Sequence, residues 1–272
     1  MSISRIDARF AKLKAENKAA FVAYIMAGDP DVEASFHVLK GLPAAGADII
    51  ELGFPFSDPM AEGPTIQLAA ERSLKSGTKM AHVFDLIKRF RALDQDTPLI
   101  LMGYMNPVEN MGYERFAKTA SDAGADGVIV VDCPPEEADG LTDALDANDM
   151  ALIRLATPTT DDNRLKTLLK RTKGFVYYVS VAGVTGVKEA NADSVKDAVA
   201  RVQKASGLPV VVGFGIKAPE AAAAIARVAD GSVVGSVLVD DIKNSLPEKA
   251  PVNTKVLETA AILAHAVHTA RL

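Results

Sequence analysis

The stretch Glu51-Leu-Gly-Phe-Pro-Phe-Ser-Asp-Pro-Met-Ala-Glu-Gly-Pro-Thr-Ile-Gln67 concentrates the groups most able to do chemistry. Glu51 stands in an apolar run near the end of a strand candidate. Side chains alternate along a strand, so Ile49, Glu51 and Gly53 share one face and Ile50 and Leu52 the other. On an interior face an ionised carboxylate is costly, its pKa rises, and it becomes suited to general acid/base work. On an exterior face Glu51 would pair with a helix lysine, and position alone leaves both readings open. Glu62 follows in the next loop, ahead of Gly63-Pro64, where a helix can start. It can face the same cavity as a second carboxylate, or serve only as an acid favoured by the helix dipole. Asp58, before Pro59, reads as a turn residue or surface contact.

Glycines mark a second group. Gly213-Phe-Gly-Ile216 ends the seventh strand candidate and Gly235-Ser236 ends the eighth. Glycine lets backbone approach a ligand closely, and a phosphate held by backbone N–H groups at a short helix start is a recurring arrangement in such places. Tight turns without a ligand are the alternative. Gly183-Val-Thr-Gly186 follows the sixth strand candidate, with two glycines as hinges for a lid and a Thr185 hydroxyl able to bond a carboxylate; a plain surface loop is the alternative.

Other chemistries are disfavoured. His37, His82, His265 and His268 all fall in helical stretches, and no Cys or carboxylate set joins the last two, so no metal site is expected. No lysine ends the sixth strand candidate, which argues against a Schiff-base aldolase. Lys217 either helps hold phosphate or is simply exposed. Cys133, the sole cysteine, is expected to have no nearby His or basic group to lower its pKa and is read as structural. The net charge of −5, with 30 basic residues scattered among 35 acidic ones, argues against nucleic acid or an acidic membrane as partner. There is no secretory signal pattern and no apolar run long enough to cross a bilayer, so the chain is expected in the cytoplasm.

The elements that would position these groups alternate regularly. Strand candidates are 21–27, 48–53, 98–104, 127–132, 151–157, 175–180, 209–215 and 232–236. Helical stretches lie near 32–45, 80–94, 113–123, 135–148, 161–171, 192–206, 218–229 and 253–269. Ile3, Ile6, Phe10 and Leu13 add an amphipathic N-terminal helix over one end. Strands that alternate with helices pair in parallel, and eight such units close into a (β/α)8 TIM barrel, here expected as one domain over 1–272. An open doubly wound sheet is the rival. Ala-Gly-Ala-Asp precedes two of the strands, as helix-to-strand turn chemistry. The long connections 54–79 and 181–191 leave the C-terminal strand ends, where barrel sites are built.

Phe21 to Pro30, Glu51 to Gln67, Tyr177 to Gly186 and Gly213 to Ile216 together resemble the α subunit of tryptophan synthase. The resemblance implies a lyase that cleaves indole-3-glycerol phosphate to indole and glyceraldehyde 3-phosphate, with no metal or cofactor of its own. It implies Glu51 as general acid/base and Glu62 as the carboxylate that steadies charge at the indole N–H. Tyr24, Met102 and Tyr177 would line the indole pocket. Gly186, Gly215, Gly235 and Ser236 would bind phosphate. Tyr104, Asp132 and Thr185 would support the catalytic groups or the subunit contact. The implied partner is a pyridoxal-phosphate-dependent β subunit in an α2β2 complex, faced by the loop Phe54 to Pro59 that includes Asp58. Two departures stand out: Glu62 where the family has Asp, and Val181-Ala182 where a more polar pair is usual. A stand-alone indole-releasing enzyme, a sugar-phosphate isomerase and a non-catalytic activating subunit are the competing readings.

Overall fold

The computed structural model describes residues 3–180, 192–213, 215–246 and 252–272. Thr185 and Gly186 therefore lie outside the described residues, as does the proposed hinge around them.

The strands are β1 (Ala20–Met26), β2 (Ile49–Gly53), β3 (Leu99–Gly103), β4 (Gly127–Val130), β5 in two segments (Ala151–Leu152 and Arg154–Ala156), β6 (Val176–Val179), β7 (Val210–Gly213) and β8 (Gly231–Val234). All pairings are parallel. β1 pairs with both β2 and β8, which closes the sheet from the first strand to the last. The first segment of β5 pairs with β4 and the second with β6, so the sheet runs round to Ile153 from both sides. The result is the expected barrel rather than an open sheet.

Helices α1 (Ile3–Ala15), α2 (Val32–Gly41), α3 (Pro64–Lys75), α4 (Met80–Arg91), α5 (Met105–Met111), α6 (Tyr113–Ala123), α7 (Asp139–Asp146), α8 (Asp162–Leu168), α9 (Ala192–Ser206), α10 (Pro219–Ala226), α11 (Ser236–Ser245) and α12 (Val252–His268) cover the outside and one end. Local chemistry sets their ends. Asp31 and Asp161 cap α2 and α8 by accepting N–H bonds from Ala34 and Arg164. Gly63 and Pro64 open α3, so nearly half of the long connection after β2 is helix. α5 and α11 were not expected. Ser236, read as a strand end, is instead the first residue of α11, because the chain leaves the sheet at Val234.

Alternation sorts the strand residues into two cores. One face packs outward on the helices. The other fills the barrel with Ala20, Val22, Ile49, Ile100, Ile129, Ile153, Tyr177, Val211 and Val233. α1 drives Ile6, Phe10 and Leu13 into the N-terminal end of that interior, with Phe10 5.8 Å from Phe175 between ring centroids. Each such side chain contributes about 1.5–3 kcal/mol by burial.

The Ala-Gly-Ala-Asp turns have a structural meaning. Asp48 accepts the Phe21 N–H and Asp126 the Leu99 N–H, at 2.9 and 2.8 Å. Asp230 does the same for Val210 at 2.8 Å. Each aspartate clasps the start of a neighbouring strand. Asp126 also binds Arg5 of α1 and Arg91 of α4, and Asp48 binds Arg9 of α1 and His268 of α12.

Candidate active site

The opposite end, at the C-terminal strand ends, gathers the candidate chemistry. Register places Glu51 beside Tyr24 on one side and Ile100 on the other. Its face is the one that carries Ile49 and Val22 into the barrel, which settles its direction as inward. Glu51 is 1% exposed, and its Oε1 is buried with no hydrogen-bond partner. Burial first, and then the charge of Glu62, push its pKa up to about 8.

Glu62 is half-buried in the loop ahead of α3. Burial pushes it up to about 7, opposed by a hydrogen bond from the Tyr104 hydroxyl. That hydroxyl also accepts the Ala61 N–H at 3.0 Å, and the Tyr104 ring stacks on Phe56 at 5.6 Å. Tyr104 therefore holds the loop on the approach to Glu62, at Phe56 and Ala61, as well as Glu62 itself. Asp132 is exposed, and its Oδ1 takes the Met105 N–H at 2.7 Å, fixing the chain just after Tyr104.

Tyr24 and Tyr177 are buried, and both phenols are held well above their ordinary range by burial and by the fields of Glu51 and Glu62. They remain neutral donors on the walls around the two acids. Met102 packs against Tyr24 from β3. The structure thus brings Glu51, Glu62, Tyr24, Tyr104, Tyr177 and Met102 into one neighbourhood.

The glycines divide into two uses. A Cβ on Gly213 would sit 2.1 Å from the Tyr177 hydroxyl oxygen, and one on Gly53 would sit 2.3 Å from that of Tyr24. Gly213 is therefore needed for a tyrosine to lie across the strand end, which corrects its reading as a point of ligand approach. Gly215 has φ +76 with open space where a Cβ would be. Gly235 caps α11 with no side-chain bond to the helix's first N–H groups, and Ser236 follows as its first residue. A helix start without a side-chain cap is the kind of place that suits an anion.

The other sequence candidates lie apart. Asp58 is exposed and bonded to Ser57. Lys217 is exposed. Cys133 is buried, and contrary to the sequence reading it has a basic neighbour, since Arg154 donates to its carbonyl at 2.9 Å and lies beside its thiol. Burial still pushes the thiol up, so it stays inert. Among the described residues no group of three or more His, Cys, Asp or Glu is placed to hold a metal ion. A cleft of about 430 Å³ lined by Thr160, Tyr178 and Arg201 opens on the outer side of β6, away from both acids.

The sequence reading assigned no task to Thr65 and Gln67, although it quoted both in the motif. Gln67 donates to the Glu62 carbonyl at 2.8 Å, and Thr65 donates to Asp240 of α11 at 3.2 Å. It also missed the buried pair in which Arg72 of α3 holds both oxygens of Asp29 at 2.7 Å.

Comparison with known proteins agrees with this geometry. The family model described as tryptophan synthase alpha chain matches residues 10–268. The tryptophan synthase alpha chain of Caulobacter vibrioides is 64% identical over 272 residues, covering 100% of this chain and 99% of the relative. That of Phenylobacterium zucineum is 64% identical over 271 residues, covering 100% and 98%. The crystal structure of tryptophan synthase subunit alpha from Legionella pneumophila is similar at TM-score 0.89 and 41% identity, covering 97% and 98%. A Mycobacterium tuberculosis tryptophan synthase structure is similar at TM-score 0.88 and 34% identity, covering 98% of each chain. With a buried and a half-buried acid at the mouth of a parallel barrel and this likeness along the whole chain, the chain belongs to the tryptophan synthase alpha chain family.

Proposed function

We propose that Glu51 and Glu62 carry out the retro-aldol cleavage of indole-3-glycerol phosphate, the carbon–carbon lyase reaction of this family in tryptophan biosynthesis. The observation that carries the reading is a buried carboxyl with one oxygen left unpartnered beside a half-buried one, both raised. With a pKa of about 8, Glu51 is protonated near neutrality and can give its proton to indole C3. The ring nitrogen then becomes positive, and Glu62, ionised above about 7, stabilises its N–H. Glu51, now a carboxylate, takes the proton of the hydroxyl on the adjoining side-chain carbon. The bond from C3 to that carbon breaks, its electrons neutralise the ring nitrogen, and indole and glyceraldehyde 3-phosphate result. Glu51 ends as it began, protonated.

Tyr24, Tyr177 and Met102 would enclose the indole, and the N–H groups at Gly215, Gly235 and Ser236 would hold the phosphate. Gly186 and Thr185 would complete the site from the loop after β6. The chain would act as one domain in the cytoplasm, with no cofactor of its own. A pyridoxal-phosphate-dependent β subunit would complete an α2β2 complex. A groove of about 630 Å³ between Phe56 and the outer side of α3, with Met60, Leu68 and Leu74 exposed beside it, supports a partner surface there. The test is indole release from indole-3-glycerol phosphate by the purified chain, alone and with a β subunit. Slow release that rises strongly with the partner is expected. Folded, partner-binding chain that releases no indole in either case would reject the lyase and favour a purely activating subunit.

A further inference from the structure

The motif Gly63-Pro-Thr-Ile-Gln67 does more than begin a helix. Thr65 donates from the first turn of α3 to Asp240 Oδ1, one turn below Ser236 on α11. Ile66 packs in the same turn with Val239 of α11 and with Tyr24 and Met26 of β1. Gln67 reaches back to the Glu62 carbonyl. The first turn of α3 is therefore bound to α11 by a hydrogen bond and an apolar contact, and to the Glu62 backbone by another hydrogen bond. The same α11 begins at Gly235 without a side-chain cap, and its start is where phosphate is proposed to sit.

We infer that Thr65, Asp240 and Gln67 form a positioning relay that lets phosphate bound at the start of α11 set the placement of Glu62 against the indole ring. The inference rests on the lyase reading above. Phosphate fixes the axial position of α11. Thr65 transfers that position to α3, and Gln67 transfers it to the residue whose carboxylate must meet the substrate. Such a link uses binding energy at a non-reacting group to order a reacting one. It also gives the additional methylene of Glu62 a fixed base from which to reach.

The relay is tested with indole-3-glycerol, which lacks the phosphate, and with inorganic phosphate added separately. The full chain is assayed in complex with a β subunit. Phosphate is expected to accelerate indole release by the unaltered chain. Thr65→Val keeps the shape of the side chain but cannot donate, and is expected to lose about tenfold of that acceleration. Asp240→Ala should lose a similar factor, and the double variant no more than either single one, because both break one contact. Thr65→Ser should restore the acceleration. A contact with only a structural role would lower the phosphate-free and phosphate-assisted rates alike and leave their ratio unchanged. That outcome, or an unaltered chain indifferent to phosphate, overturns the relay. Failure to release indole from the complete phosphorylated substrate is a separate result, and removes the lyase reading together with the relay.

Discussion

Glu51→Gln replaces the buried carboxyl by an amide of nearly the same shape that cannot ionise. In the native chain Glu51 moves from 4.5 up to about 8, so folding retains a proton that the unfolded chain releases. The sign follows directly. The stability contributed by this group is whole below about pH 4.5 and is lost as pH rises through the folded value. The full separation corresponds to roughly 4–5 kcal/mol at about 1.4 kcal/mol per pH unit. Roughly 3 kcal/mol of that falls between about pH 5 and pH 8, and water entering from the barrel mouth on ionisation brings it towards 2. Asp29 and Asp126, also raised by burial, are present in both proteins and cancel in the difference. Urea unfolding at about pH 5 and pH 8 measures the effect, using the first transition because barrels of this size unfold through intermediates. Relative to the unaltered chain, Glu51→Gln should gain about 2–3 kcal/mol on going to the higher pH while its indole release is abolished. A stability difference that stays flat within about 0.5 kcal/mol across that range would refute the reasoning that desolvation governs this acid.

Three further changes probe other parts of the site and its frame. Tyr104→Phe keeps the stack on Phe56 but removes the hydrogen bond that lowers Glu62, so the acidic limb of the kcat–pH profile should move up by about half to one unit. Gly213→Ala sets a methyl group 2.1 Å from the Tyr177 hydroxyl oxygen; displacement of that ring should cost about 1–3 kcal/mol in thermal unfolding and raise KM in steady-state assays. Asp126→Ala leaves Arg91 and Arg5 without their shared carboxylate and the Leu99 N–H without an acceptor; denaturant titration should register a loss of about 3–5 kcal/mol, with kcat nearly unchanged because the cluster lies at the other end of the barrel.

The strands were legible because β-branched runs recur at regular spacing, and each observed strand falls within the stretch expected for it or begins one residue earlier. α5 and α11 were not legible, because each is a short segment that begins directly at a strand's exit, where the periodic signal has no room to build. The acid Glu51 was visible as a carboxylate in an apolar run, but its direction was not. Only closure of the sheet decides which alternate face is inside. The use of Gly213 was hidden for a related reason, since the demand comes from Tyr177 on the adjacent strand. The clasps at Asp48 and Asp126 were present as a repeated turn signature, yet their partners lie 27 residues away in the chain, and the clasp at Asp230 carried no such signature.

α1 gives the barrel a floor. Ile6, Phe10 and Leu13 seal the end opposite Glu51, and Arg5 and Arg9 fasten the seal to Asp126 and Asp48. Above that floor Val22, Ile49, Ile100, Ile129, Ile153, Val211 and Val233 pack the interior, so among the described residues only the rim at the C-terminal strand ends is left as an opening. With one rim, traffic at the proposed site would be two-way, and departing product and arriving substrate would contend for the same opening. The proposed partner, seated on that rim, would govern both directions at once: it could take up what leaves only from where it also screens what enters. Removing the floor would wet that packed layer from below and loosen the fold, while the way in and out stayed at the same rim.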